Sequence, residues 1–210
     1  MKLPYLPPLR FFASVGRPLE RYFTEIVKAQ RPSREADLWM EAQERLAQLD
    51  FLLWRVKDLQ EKHWNVLSAQ AAAVHGGRTP SDRERIRASA ASRQRGSIAG
   101  NLMFELRLST EAFYYFATRF IRILNCFPQL KNFDAPGVRN VRNHLLEHSE
   151  SASGITQQDW GYSNTGPALK STAPRPLGKE NVPKDPGLFV NAAELCHRLE
   201  RRLGDLLTPE

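Results

Sequence analysis

Two arginine–asparagine pairs, each followed by a histidine, lie between Val138 and His148. Arg139 precedes His144, and Arg142 precedes His148. Histidine has an ordinary pKa near 6.5, so it can accept or donate a proton near neutral pH. Arginine stays charged and can bind two phosphate oxygens at once. These residue types could together move a proton and stabilise negative charge that develops on a phosphate.

Helix geometry distinguishes the two possible arginine–histidine pairs. At about 100° per residue, Arg142 and His148 flank the apolar stripe of their helix, where both can reach one partly buried cleft. Arg139 and His144 lie farther round the helix. We therefore predict that Arg142 and His148 are catalytic and that Asn143 orients the phosphate or the histidine. Arg139 and His144 are kept as a supporting or alternative pair.

This arrangement resembles the R-x(4–6)-H motif of the HEPN superfamily, a group of helical-bundle proteins. Many of its members are metal-independent ribonucleases of bacterial defence and toxin–antitoxin systems. The second residue of that motif is often Asn, Asp or His, which Asn140 and Asn143 match, and the resemblance covers residues 34–150. It implies an endoribonuclease completed by pairing two copies, with an antitoxin or defence protein as a possible partner. A non-catalytic member that binds RNA or protein is the alternative.

The same residues also read as H-x-x-E-H, the inverted zinc-peptidase motif, from His144 to His148. Two histidines four positions apart share a helix face and can bind Zn²⁺, with Glu147 as the base. A third protein ligand would then be Glu180 or Glu194. Those peptidases are much larger and carry the motif early, whereas only 62 residues follow His148 here. We therefore expect no metal site and no cofactor.

The elements that must position the motif are predicted to be helices, because apolar residues recur at steps of three and four. Four long apolar stripes predict an all-α, antiparallel helical bundle over residues 1–150. An irregular loop or short hairpin is expected over 151–187, and a last helix over 188–210 is expected to pack on the bundle. The predicted helices of the bundle cover residues 17–30, about 35 residues from Ser33, 97–126 and about 134–150.

A basic segment separates the two long predicted helices. Residues 78–96 carry a local charge of +4, with small residues between the arginines. The whole chain has 30 Lys and Arg against 23 Asp and Glu, a net charge of +7, which suits a polyanionic partner. We predict a partly helical connector here, either merely solvated or binding RNA phosphates. The candidate RNA-binding residues are Arg78, Arg83, Arg85, Arg87, Arg93 and Arg95.

Composition and motifs argue against several other classes of protein. No uncharged apolar run approaches the ~18 residues that cross a bilayer, and prolines interrupt the N-terminus where a signal peptide is apolar. Two cysteines do not make a disulfide framework. The chain lacks a glycine-rich phosphate loop after a strand and a G-x-S-x-G elbow. We therefore expect a cytoplasmic protein with no membrane partner.

The helix predicted over 97–126 carries four aromatic residues in succession, Phe113 to Phe116. Its helical spacing continues through them, so we expect core packing rather than a base-stacking platform. This helix can also supply the contact area of a homodimer. A two-fold axis near the motif would bring two half-sites together and add a second histidine as proton donor. The basic segment would then flank the shared cleft.

Overall fold

The computed structural model describes residues 7–30, 35–75, 82–147 and 187–208, which contain five helices and no strand. Helix α1 comprises Ala13–Tyr22, a π-helical turn at Phe23–Val27 and a last turn at Lys28–Gln30. Helix α2 spans Glu35–His75 and α3 spans Asp82–Leu124. A 3-10 turn at Pro128–Leu130 precedes α4, Pro136–Glu147, and α5 spans Leu188–Leu207. The predicted all-α helical bundle is confirmed.

Helices α2 and α3 form a long antiparallel hairpin, and each is about 60 Å long at 1.5 Å per residue. Among the described side chains, two ion pairs bridge these helices, Arg55 with Glu105 and Arg119 with Glu41. The two pairs are separated by fourteen residues on both helices, so the register is constant along the hairpin. None of the described helices has the length and hydropathy of a membrane span.

One hydrophobic core joins all five helices beside the half of the hairpin that holds the start of α2 and the end of α3. Helix α1 packs on α5, and α4 packs on both α3 and α5. Phe23 of α1 stacks on Trp39 of α2, with ring centroids 4.7 Å apart and planes at 5°. The last helix packs on the bundle, since Leu188, Leu195, Leu199 and Leu203 are fully buried.

A buried carboxylate ties the segment before α1 to the hairpin. Asp50 of α2, only 4% exposed, accepts hydrogen bonds from the backbone N–H groups of Arg10, Phe11 and Phe12 at 2.7–2.9 Å. A buried charge is tolerated only when it is hydrogen-bonded or paired. These bonds therefore fix the start of α1 against α2 and place Phe12 in the core.

The structure differs from the sequence-based prediction at the start of the second long helix. That helix begins at Asp82, so the predicted start near residue 97 is wrong. Residues 82–96, predicted to be a partly helical connector, are helix throughout. They lack an apolar stripe, which left no periodic signal, but their alanines and arginines are strong helix formers. Residues 76–81 and 148–186, which include most of the predicted loop, lie outside the described residues.

The aromatic cluster of α3 is only partly in the core. Phe113 and Tyr114 are fully buried, as expected. Tyr115 is 54% exposed, so its assignment to the core is wrong. Successive helical residues point about 100° apart, and four in a row therefore cannot all face one core.

Candidate functional site

Helix α4 carries the two arginines and Asn143 of the predicted motif. Val138 and Val141 are buried in the core, whereas Arg142 and Asn143 are half-buried at the edge of that apolar face. Arg139, one turn before Asn143, is exposed. His144 and Glu147 belong to α4 by their backbone alone, and His148 lies outside the described residues.

The two candidate arginines differ in their partners. The guanidinium of Arg139 forms an ion pair with Asp134, the residue two positions before α4 begins. Arg142 instead donates from Nη1 to Oδ1 of Asn143 at 3.0 Å, a bond to a neutral amide. Among the described side chains no carboxylate pairs with Arg142. Its charge is therefore the one available to an anionic ligand, which favours Arg142 over Arg139 as the motif arginine.

The N-terminal end of α4 is held tightly against α5. The backbone N–H of Gly137 donates to Oε2 of Glu194 at 3.0 Å. Asn191 donates to the hydroxyl of the buried Tyr114 at 2.7 Å, which links α5 to α3. A side chain at position 137 would place its Cβ only 2.3 Å from Oδ1 of Asn191, so glycine permits this close approach. These contacts fix the position from which the motif residues project.

These contacts do not support the zinc-peptidase hypothesis. Both oxygens of Glu194, one of the two candidate third ligands, are engaged, by Gly137 and by Nε of Arg198 at 2.8 Å. Within the described part of the chain, no three His, Cys, Asp or Glu residues gather where they could hold a metal ion. Glu180 and His148 lie outside that part.

A groove of about 750 Å³, here called the α5 groove, lies between α5 and the turn that precedes α4. Asp134 and Glu194 line it, so it adjoins the beginning of the motif helix. It also presents four cations. Arg198 is paired with Glu194, and Arg202 donates to the neutral backbone oxygen of Gln129 at 2.7 Å. Lys131, Arg201 and Arg202 form no ion pair with a carboxylate among the described side chains, and neither does Asp205, which also lines the groove. These four groups together carry a net charge of +2.

The predicted RNA-binding arginines lie elsewhere in the fold. Arg83, Arg85, Arg87, Arg93 and Arg95 belong to the first part of α3 by their backbone, and Arg78 is outside the described residues. Tyr114 marks the level of the motif helix on α3, because α5 hydrogen-bonds both to Tyr114 and to the start of α4. The helical rise places Arg95 about 30 Å from Tyr114 along α3. The structure therefore does not bring this segment to the start of the motif helix within one chain.

Sequence reasoning missed the α5 groove. A signal was present, because Arg198, Arg201 and Arg202 are three and four positions apart and share one helix face. Comparison of the chain with family models, curated proteins and solved structures found no match in any of the three.

Proposed function

We propose that this protein is a metal-independent endoribonuclease that acts through Arg142 and His148, with Asn143 in support. The observation that carries the proposal is the half-buried residue Arg142, whose guanidinium has a neutral hydrogen-bond partner and no ion pair with a described carboxylate. An uncompensated arginine at the edge of a packed helix is suited to a phosphate. The hydrogen bond to Asn143 orients it.

The chemistry requires three groups. His148 takes the proton of the ribose 2′-hydroxyl as that oxygen attacks the adjacent phosphorus. Arg142 stabilises the negative charge that develops on the phosphorane. The 5′-oxygen of the next nucleotide leaves and needs a proton, which His148 of the partner subunit would supply in a homodimer. A role as a toxin or antiviral effector, with an antitoxin or defence protein as partner, is part of this proposal.

The α5 groove is the proposed path of the RNA backbone. It joins the start of α4, and it offers Lys131, Arg201 and Arg202 as cations without described acidic partners. Successive phosphates of a single strand lie close enough for cations on one groove wall to bind neighbouring ones, without reading the bases. The arginine-rich start of α3 remains a second candidate surface for RNA.

The test of catalysis is cleavage of a labelled single-stranded RNA in the presence of EDTA. We expect the wild-type protein to cut, and His148→Ala to lose at least about 100-fold in rate, the usual contribution of general acid–base catalysis. Arg142→Gln should lose activity similarly. Arg139→Gln is the matched control, since its charge is already compensated by Asp134, and it should retain most of the activity.

Other outcomes would assign other functions. Binding of RNA without cleavage by the wild type would overturn catalysis and favour the non-catalytic RNA-binding module. Equal losses of activity in Arg139→Gln and Arg142→Gln would contradict the inference that Arg142, and not Arg139, binds the phosphate. Metal-dependent hydrolysis of peptides would support the zinc reading instead.

The RNA path is tested by binding in a His148→Ala background, so that cleavage does not interfere. Lys131→Gln/Arg201→Gln removes two groove cations, and Lys28→Gln/Lys57→Gln removes two exposed cations outside the groove. Each lost phosphate contact of a single strand lowers the slope of log K against log salt by about 0.7. We expect a slope about 1.4 smaller for the groove variant and unchanged for the control, measured by fluorescence anisotropy. Equal slopes would exclude the groove as the RNA path.

A further inference from the structure

Three large apolar side chains of α3 are exposed along one line of the helix. Phe104 is 69% exposed, Leu108 57% and Tyr115 54%. They are four and seven positions apart, so they point within about 40° of one another and away from the buried Leu106 and Phe113. We call Phe104, Leu108 and Tyr115 the outer stripe. Single exposed apolar residues are ordinary, but a row of them marks an interaction surface.

One residue of the outer stripe, Tyr115, adjoins an ion pair between α3 and α2. Arg119 pairs with Glu41 at 3.3 Å, and a hydrogen bond with Tyr115 is the largest cause that raises the pKa of the Arg119 guanidinium. The phenol of Tyr115 therefore lies close to Arg119. Ordered side chains lose little conformational entropy when they are covered by a partner.

The charges on one flank of the stripe are self-complementary. Arg107 and Glu111 form an ion pair at 3.3 Å, with 44% and 42% of their side chains exposed. If a second copy of α3 runs antiparallel, with the two-fold axis beside Ser109, Arg107 lies opposite the partner's Glu111. The same register sets Phe104 within one position of the partner's Tyr115, about 1.5 Å along the helix, which aromatic side chains can span. Both contacts occur twice because the interface is isologous.

We propose that the outer stripe is the interface of a homodimer in which two copies of α3 pack antiparallel about this axis. The occupant is a second copy because its register satisfies the aromatic residues and the charges together. Each stripe residue exposes on the order of 100 Å² of apolar surface. Three such residues from each copy form the centre of an interface, and the flanking charges and helix surface form its polar rim. The proposal goes beyond RNA cleavage and does not depend on it.

The first experiment measures the mass of the protein in solution by sedimentation at micromolar concentration. We expect a dimer for the wild type and at least about a tenfold weaker association for Phe104→Glu and for Leu108→Glu, as for truncation of interface hot spots. Ile98→Glu is the control, because Ile98 is 44% exposed on α3 but points about 120° from Phe104. Circular dichroism confirms that each variant retains its helices. A monomeric wild type, or dimers that persist in both stripe variants, would overturn the proposal.

The second experiment tests the register. Arg107→Glu alone places like charges opposite each other in the homodimer, and so does Glu111→Arg. Each variant alone should therefore be mainly monomeric. In an equimolar mixture every side chain at position 107 meets one of opposite charge at position 111, so dimers should form again. If the mixture stays as dissociated as the separate variants, the antiparallel register is refuted, even where the wild type is a dimer.

Discussion

Tyr22 is a buried phenol whose ionisation should be linked to folding. Its ring is 1% exposed and packs edge-on against Phe127, and its hydroxyl donates to Oε1 of Gln129 at 3.0 Å. Burial raises the pKa of Tyr22 from 10.0 to about 12, although the charge of Arg202 acts in the opposite direction. The folded protein therefore favours the neutral phenol more strongly than the unfolded chain does.

The sign of the resulting pH dependence follows from this shift. Because the folded-state pKa of Tyr22 is the higher one, its stabilisation is complete below pH 10.0 and is lost as pH rises toward about 12. We expect the free energy of unfolding to fall by at most about 3 kcal/mol from this group. Tyr22→Phe should be about 1 kcal/mol less stable near neutral pH through loss of the hydrogen bond. Its free energy of unfolding should depend less on pH in that alkaline range than the free energy of the wild type does. Urea titrations at a series of pH values measure both, and parallel curves for the two proteins would contradict the linkage.

At the scale of elements, the sequence predicts a helix wherever an apolar stripe must be buried. The motif helix shows this clearly, since Val138 and Val141 are buried and Arg142 lies at the edge of their face, as helical geometry requires. The beginning of α3 was not predicted, because residues 82–96 form helix without an apolar stripe. The high helix propensity of its residues and its continuity with the rest of α3 stabilise the helix in this segment.

The surroundings of the motif depend on tertiary contacts that periodicity does not encode. Asp134 precedes α4, so a helical wheel drawn for α4 does not show its ion pair with Arg139. The α5 groove requires Lys131 to lie beside Arg201, seventy positions later in the chain. The sequence does not indicate a role for Gly137 either, because that role depends on the close approach of Asn191 from another helix. Sequence therefore indicated the candidate arginines and the helix face, whereas the structure supplies the partners that distinguish them.

The molecule as a whole divides into a well-packed part and an extended part of the same hairpin. Helices α1, α4 and α5 cover the inner half of the hairpin, where Trp39, Leu53, Phe113 and Phe120 are buried. In the outer half, beyond Leu59 of α2 and before Leu102 of α3, the described buried side chains are Gln60, His63 and Ala99. That half buries far less apolar surface, and local stability follows burial.

This difference predicts unfolding in two steps. On heating, far-ultraviolet circular dichroism should lose part of its helical signal before the near-ultraviolet signal of packed rings such as Trp39 changes. Burial lowers the pKa of His63 below its ordinary 6.5, so its contribution to stability is present above pH 6.5 and is lost as pH falls through the lower folded-state value. The first step should therefore occur at lower temperature in mild acid, while His63→Gln, which does not titrate, should lose that acid shift. Two signals that change together at every pH would show that the hairpin unfolds as one unit with the bundle.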